Sequence, residues 1–195
     1  MKSEITQQIG HAVAVLKQGG VALFPTETSY GLAVDATNPC AVKRLMRLKG
    51  RRTDKSFPLI VASTAMADRI GHLRCLGHRL AKAYWPGPLT LVVKERKGSG
   101  LARDVVRDGT IALRVSSHPV ARELSRRLGR PIVSTSANKA GFPSAYRVED
   151  AGVAPDAVLN VGRLSKKKSS TVVSIVDKQM VVLRKGDVRP VDPKC

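Results

Sequence analysis

Ile5, Ile9, Val13 and Leu16 recur at helical spacing up to Gly19-Gly20, which predicts an amphipathic helix with a glycine stop. The run VALF follows as a short buried strand ending at Pro25. Asn38-Pro39 supplies an N-cap and a proline at the first helical position, so AVKRLMRLK reads as a second helix with Val42, Leu45 and Met46 on its apolar face. Its basic end runs into Lys49-Gly50-Arg51-Arg52. PLIVA at 58–62 reads as a strand, Ser63 as the next cap, and 77–85 as a helix broken by Trp85-Pro86-Gly87-Pro88. The β-branched content of LTLVVK and TIALRV gives two more strands. Residues 119–128 are helical up to Gly129, PIVS is a strand, and AVLNV, TVVSIV and MVVLR are strands of the last third.

Strands and helices alternate early and strands cluster late, which predicts a mixed α/β sheet flanked by helices in one domain over residues 1–195. A chain of 195 residues has room for a substantial core without metals or disulfides. No internal repeat is visible, and KKKSS at 166–170 is the one low-complexity stretch. No apolar run approaches the roughly 18 residues of a membrane span. The N-terminal MKSEITQQIG carries Glu4 and lacks the apolar core of a signal peptide, so the expected location is cytoplasmic, with no membrane partner. Cys40, Cys75 and Cys195 lie far apart, and no histidine stands near them at metal-ligand spacing, so neither a disulfide framework nor a protein metal site is expected. His11, His72, His78 and His118 fall in or beside expected helices and read as solvated or packed.

The charge changes the picture more. Lysine and arginine number 34 against 15 acidic residues, a net charge of +19. Such an excess attracts polyanions; nucleic acid or a nucleoside triphosphate fits it equally.

Phosphate loops of the GxxxxGK(S/T) type, GxGxxG, HExxH and GxSxG are all missing. Four polar clusters stand instead just after or within expected strands, where loops on a rigid sheet carry function. In PTETSYGL, residues 25–32, the hydroxyls of Thr26, Thr28 and Ser29 could hold a small polar ligand or form an ordinary turn. Lys49 and Arg51, with Lys55, leave a helix C-terminus; they suit a triphosphate, or simply cap the helix dipole. STSANKAGFPS, residues 134–144, offers neutral donors and acceptors, or a serine-rich loop. Arg114 ends an apolar strand and needs a partner, either a ligand carboxylate or a structural ion pair.

Together these clusters resemble one family. PTETSYGL is similar to the PT(D/E)TxYGL element of YrdC-like threonylcarbamoyl-AMP synthases, KGR to their Lys-x-Arg, and STSAN to their Ser-x-Asn. WPGPLT, the Arg-Val and His-Pro of RVSSHP, STVV and VVLRKG complete the series over about residues 19–186, leaving 187–195 as a short tail. The resemblance implies an open twisted sheet with a large basic cavity. It also implies conversion of L-threonine, bicarbonate and ATP, with Mg2+, to threonylcarbamoyl-AMP and pyrophosphate, the product passing to a separate tRNA threonylcarbamoyl transferase.

Carried over by position, Lys49, Arg51, Ser136 and Asn138 are the catalytic set. The nucleotide side comprises Lys49, Arg51, Lys55, Thr110, Ser136, Asn138, Ser144 and Arg184; the threonine side comprises Thr28, Arg114, Ser134 and Ser170. No residue of these motifs reads as a general base, so the resemblance points to positioning and charge neutralisation. The chain departs from the family pattern at Arg52 and Ser56-Phe57, where prolines are usual, which bears on Lys55. Its length suits the short form of the family, without an additional C-terminal domain. Two other readings are a non-enzymatic module for duplex RNA and the carbamoyl-transfer module of hydrogenase-maturation proteins. The first draws on charge but not on the seven aromatics, which include no stacking motif; the second occurs fused to segments not found here.

The surplus charge exceeds what one triphosphate needs: seven basic residues lie between Lys43 and Lys55, and Arg163 with Lys166, Lys167 and Lys168 forms a second cluster. Weak, sequence-independent RNA binding is therefore expected, its affinity falling steeply with salt and hardly separating tRNA from unrelated duplexes. Anisotropy titrations over a salt series check this; tight, tRNA-selective binding at high salt contradicts it.

Overall fold

The cap signals of the sequence become helix ends. The computed structural model describes residues 2–50, 57–138, 142–177 and 179–192. Helix α1 spans Lys2–Lys17, and α2 spans Pro39–Lys49. Asn38 caps α2 by accepting from the backbone N–H groups of Cys40 and Ala41, and left-handed Gly50 closes it at φ 56°. Ser63 caps α3, Thr64–Ile70; α4 covers Arg74–Tyr84, starting three residues before the expected 77. Helix α5, Pro119–Leu128, ends at Gly129 as its sequence indicates. His72 lies in the link between α3 and α4, its N–H donating to Lys94 O.

The strands are β1 Ala22–Pro25, β2 Tyr30–Asp35, β3 Pro58–Ile60, β4 Leu89–Lys94, β5 Thr110–Arg114, β6 Ile132–Ser136, β7 Ala157–Val158, β8 Thr171–Ser174 and β9 Val181–Arg184. They form one sheet in the order β7-β1-β2-β6-β3-β5-β4-β8-β9. Pairs β1/β7, β3/β5 and β4/β8 are parallel and the rest antiparallel, so the expected mixed sheet forms. Strand β2 is the addition. The sequence places YGL in a ligand loop, but Tyr30 to Asp35 is buried throughout and pairs with both β1 and β6. Burial on both faces removes the polar alternation by which such a strand would be read.

Side-chain alternation divides the core in two. Leu23, Leu32, Val34, Leu59, Leu91, Val93, Ile111, Leu113 and Val133 share one apolar cluster with residues of α2, α3 and α4. On the other face Ala22, Phe24, Ala33, Ile60 and Ile132 pack with Ile9, Ala12, Val13 and Leu16 of α1 and Val120, Ala121, Leu124 and Leu128 of α5. Those two helices cover only the β7-to-β3 half of that face. This single α/β domain is thus a mixed sheet flanked by helices, with one stretch of sheet face bare. Among the described residues no helix is long and apolar enough to cross a membrane.

The turn after β9 is held against the start of β8 by a close backbone approach. A Cβ on Gly186 would stand 2.2 Å from Ser169 O and 2.5 Å from both Ser170 C and Thr171 N. Because backbone must move to admit it, Gly186→Ala is expected to destabilise the fold by about 1–3 kcal/mol, seen as a lower thermal unfolding midpoint.

Candidate active site

The bare stretch of sheet is the floor of a cavity of about 780 Å³. With a side-chain period of two, the residues alternating with the helix-packed Ile111, Leu113, Leu91 and Val93 are Ala112, Arg114, Thr90 and Val92, and these line the cavity. From β6 come Ser134 and Ser136, and from β2 comes Gly31, whose Cβ would meet Thr135 O at 3.0 Å. A second cavity of about 830 Å³ adjoins it: Ser144 lines both, and Asn138, Tyr146, Arg163 and Lys166 line the second.

The segment between β1 and β2 is built around one hydroxyl. Thr26 Oγ1 donates to Ser29 O at 2.7 Å and accepts from the N–H groups of Thr28 and Ser29, both at 3.2 Å. That turn leaves Thr28 on the cavity wall. Tyr30 Oη donates to Gly162 O at 2.8 Å and accepts from Val161 N–H at 3.0 Å, tying the segment before Arg163 to β2. Burial pushes the Tyr30 phenol up from its ordinary pKa.

Four cationic residues, Arg107, Arg114, Lys167 and Arg184, and no carboxylate line the cavity on the sheet among the described residues. Arg184 donates from Nε and Nη2 to Ser170 O at 3.1 and 2.8 Å, and from Nη2 to Ser170 Oγ at 3.0 Å. Ser170 Oγ lies 3.0 Å from Thr90 Oγ1 in turn. Burial first, and then the charge of Arg114, pushes the Arg184 guanidinium below its usual pKa. Two guanidiniums that repel each other across a pocket favour an anion between them. Arg114 also faces Glu27, with Nη1 3.5 Å from Oε1.

Lys49, the last residue of α2, is buried; its Nζ donates to Ser136 O at 2.7 Å and to Asn138 O, 3.5 Å from Asn138 Oδ1. It braces the strand-to-loop junction that carries the Ser-x-Asn element. Asn138 Nδ2 donates to Phe142 O. Thr110 stands off the lining, its Oγ1 donating to Arg107 O at 2.7 Å. The structure thus brings Thr28, Arg114, Ser134, Ser136, Ser144, Ser170 and Arg184 to one cavity and Asn138 to the adjoining one, while Lys49 lines neither and donates to the carbonyls of Ser136 and Asn138. Arg51 and Lys55 lie outside the described residues.

A family model for Sua5/YciO/YrdC proteins, described as telomere recombination, matches residues 14–186. This chain belongs to the Sua5/YciO/YrdC family. It is 34% identical over 186 residues to the threonylcarbamoyl-AMP synthase of Bacillus subtilis, a match covering 93% of this chain and 54% of that protein. To the enzyme of the same description from Cellvibrio japonicus it is 37% identical over 149 residues, 75% of this chain and 77% of the relative. The crystal structure of Pyrococcus abyssi Sua5 complexed with L-threonine superposes with a TM-score of 0.84 at 31% identity, covering 91% of this chain and 54% of that one. The chain therefore spans about half the length of its longer relatives.

Within the Sua5/YciO/YrdC fold, Glu27, Ser116 and Arg107 are residues of the site that the sequence motifs do not single out as ligands, and Lys167, read from the sequence as part of a basic cluster for RNA, lines the cavity. Glu27 lies in the middle of PTETSYGL, and its acidic character amid hydroxyls beside a basic chain was the available signal. Ser116 donates to Glu27 Oε2. Among the described residues no group of three or more His, Cys, Asp or Glu could hold a metal ion.

Removing the Lys49 amine withdraws a charge-assisted donor from two carbonyls at the end of β6. Lys49→Ala is expected to cost about 1–3 kcal/mol of stability, measured by chemical denaturation.

Proposed function

We propose that this chain is a threonylcarbamoyl-AMP synthase, with the bare-sheet cavity as its active site. The observation that carries the reading is the convergence of Arg114 and Arg184 with the hydroxyls of Thr28, Ser134, Ser136 and Ser170 on one cavity that no carboxylate lines among the described residues. Its basic lining suits two anionic substrates at once, an amino acid carboxylate and a triphosphate. In this reading Arg114, Thr28, Ser134 and Ser170 take L-threonine, the guanidinium gripping its carboxylate. The nucleotide lies toward Lys49, Arg51, Lys55, Thr110, Ser136, Asn138, Ser144 and Arg184. In the same reading the two subsites meet where Arg184 donates to Ser170, a contact that supports a shared boundary between them.

The reaction follows from that juxtaposition. Threonine's amine, once deprotonated, attacks bicarbonate or its activated form, and water leaves as a carbamate forms. A carbamate oxygen then attacks the α-phosphorus of ATP; the bond from the α-phosphorus to the bridging oxygen breaks, and pyrophosphate departs. The arginines and lysines offset charge on the phosphoryl oxygens, and the hydroxyls fix both substrates in line. Magnesium fits this cavity as a passenger of the triphosphate: Ser134, Thr135 and Ser136 present neutral oxygens, and the ion prefers substrate phosphates with its own waters. The mixed anhydride product suits transfer by a separate enzyme to adenosine beside the tRNA anticodon.

Incubation with ATP, L-threonine and bicarbonate is expected to yield threonylcarbamoyl-AMP by mass spectrometry, with pyrophosphate release that stops when either threonine or bicarbonate is left out. Phosphate as the sole released ion overturns the proposal.

A further inference from the structure

Arg114 and Glu27 form an unusual buried pair. Each side chain is only 7% exposed, yet Nη1 and Oε1 are 3.5 Å apart, well beyond the roughly 2.7–2.9 Å of a charge-assisted bond. Arg114 Nε and Glu27 Oε1 are both buried without a hydrogen-bond partner. A guanidinium sealed into a structural ion pair would dock both donors on the carboxylate, because leaving buried charged atoms unsatisfied is costly. Here the carboxylate attracts the fork without consuming it.

The position of the carboxylate is itself set from outside the cavity. Ser116 Oγ donates to Glu27 Oε2, and that hydroxyl accepts from His118 N–H at 3.1 Å. Arg122 Nη1 donates to Ser116 O at 2.7 Å. The start of α5 thus holds Ser116, Ser116 holds Glu27, and Glu27 draws on Arg114. Glu27 is not part of the cavity lining, whereas its neighbour Thr28 is, so the loop turns Thr28 to the ligand and Glu27 to the arginine. Glu27 also offsets the repulsion between Arg114 and Arg184, which would otherwise drive the two guanidiniums apart.

We infer that Glu27 is a positioning residue for the synthase reaction, acting through Arg114 to hold its guanidinium fork aimed at the amino acid carboxylate. The inference rests on the synthase reading above and adds to it a residue that touches neither substrate. Electrostatic attraction over 3.5 Å in a desolvated site restrains the guanidinium while its remaining donors stay available. The effect falls mainly on one substrate, since Glu27 faces the threonine-side Arg114 directly, whereas the nucleotide-side Arg184 is anchored separately by Ser170.

The test uses the full chain and steady-state formation of threonylcarbamoyl-AMP. Glu27→Gln keeps the side-chain volume and an acceptor for Ser116 but removes the charge. It is expected to raise KM for L-threonine about tenfold or more while KM for ATP stays within about twofold, the signature of lost ground-state binding of one ligand. Glu27→Asp, which keeps the charge, is expected to recover most of that loss. In an Arg114→Ala background, Glu27→Gln should add less than about twofold, because the two act as a unit. An unchanged threonine KM, equal rises for both substrates, or penalties that multiply in the double variant overturn the inference. If Glu27→Gln fails to fold, by thermal unfolding, Ser116→Ala replaces it: a rise in threonine KM alone supports the inference and no rise overturns it. A wild-type protein that makes no threonylcarbamoyl-AMP sinks the synthase reading and this inference with it. A wild type that makes it, with a threonine KM indifferent to Glu27, sinks the inference alone.

Discussion

Partial coverage of one sheet face is the constraint on which the rest of the structure depends. Helices α2, α3 and α4 supply apolar partners for one face, but α1 and α5 reach only the β7-to-β3 half of the other. The strands beyond must be held from beneath alone. Leu91, Val93, Ile111 and Leu113 do so, each fully buried side chain of this size contributing about 1.5–3 kcal/mol relative to exposure. Because strand side chains alternate, that anchoring directs Thr90, Ala112 and Arg114 upward into the uncovered space. Core packing and site geometry are therefore two faces of the same strands.

Charge is the second organising force, and it runs against stability. Among the described residues four cations and no carboxylate line the cavity, and the pKa of Arg184 is pushed down by burial and by Arg114. Such a cluster is tolerated in part because the fold ties two of the charges to something else: Arg184 to Ser170, and Arg114 toward Glu27. An anion placed between the guanidiniums would offset the remaining repulsion, so this lining favours anionic ligands.

The cavity also depends on short, rigid local turns. Thr26 spends its hydroxyl on the turn that exposes Thr28, Tyr30 spends its hydroxyl on the 161–162 backbone, and Lys49 spends its amine on the carbonyls of Ser136 and Asn138. These residues hold the motif segments in place while their neighbours face the cavity. A motif read as a row of contacts is, in three dimensions, an alternation of braces and contacts.

The sequence by itself determined most element positions, through signals that act over a few residues: Asn38-Pro39 and Gly50 for α2, Pro119 and Gly129 for α5, and β-branched runs for β4, β5, β8 and β9. Its ordered motifs also carried the family resemblance and most of the cavity residues. It missed β2, because a strand buried on both faces and rich in small residues carries no alternation. Tertiary structure alone decided which hydroxyls brace and which face the cavity, that Thr110 turns to Arg107 O, and that Lys49 grips backbone carbonyls. It alone joined Glu27 to Arg114 across 87 positions of chain, and Ser116 to Glu27. Local propensity acts between near neighbours, whereas the partner of a buried charge is chosen by strand pairing and by the low dielectric that pairing creates.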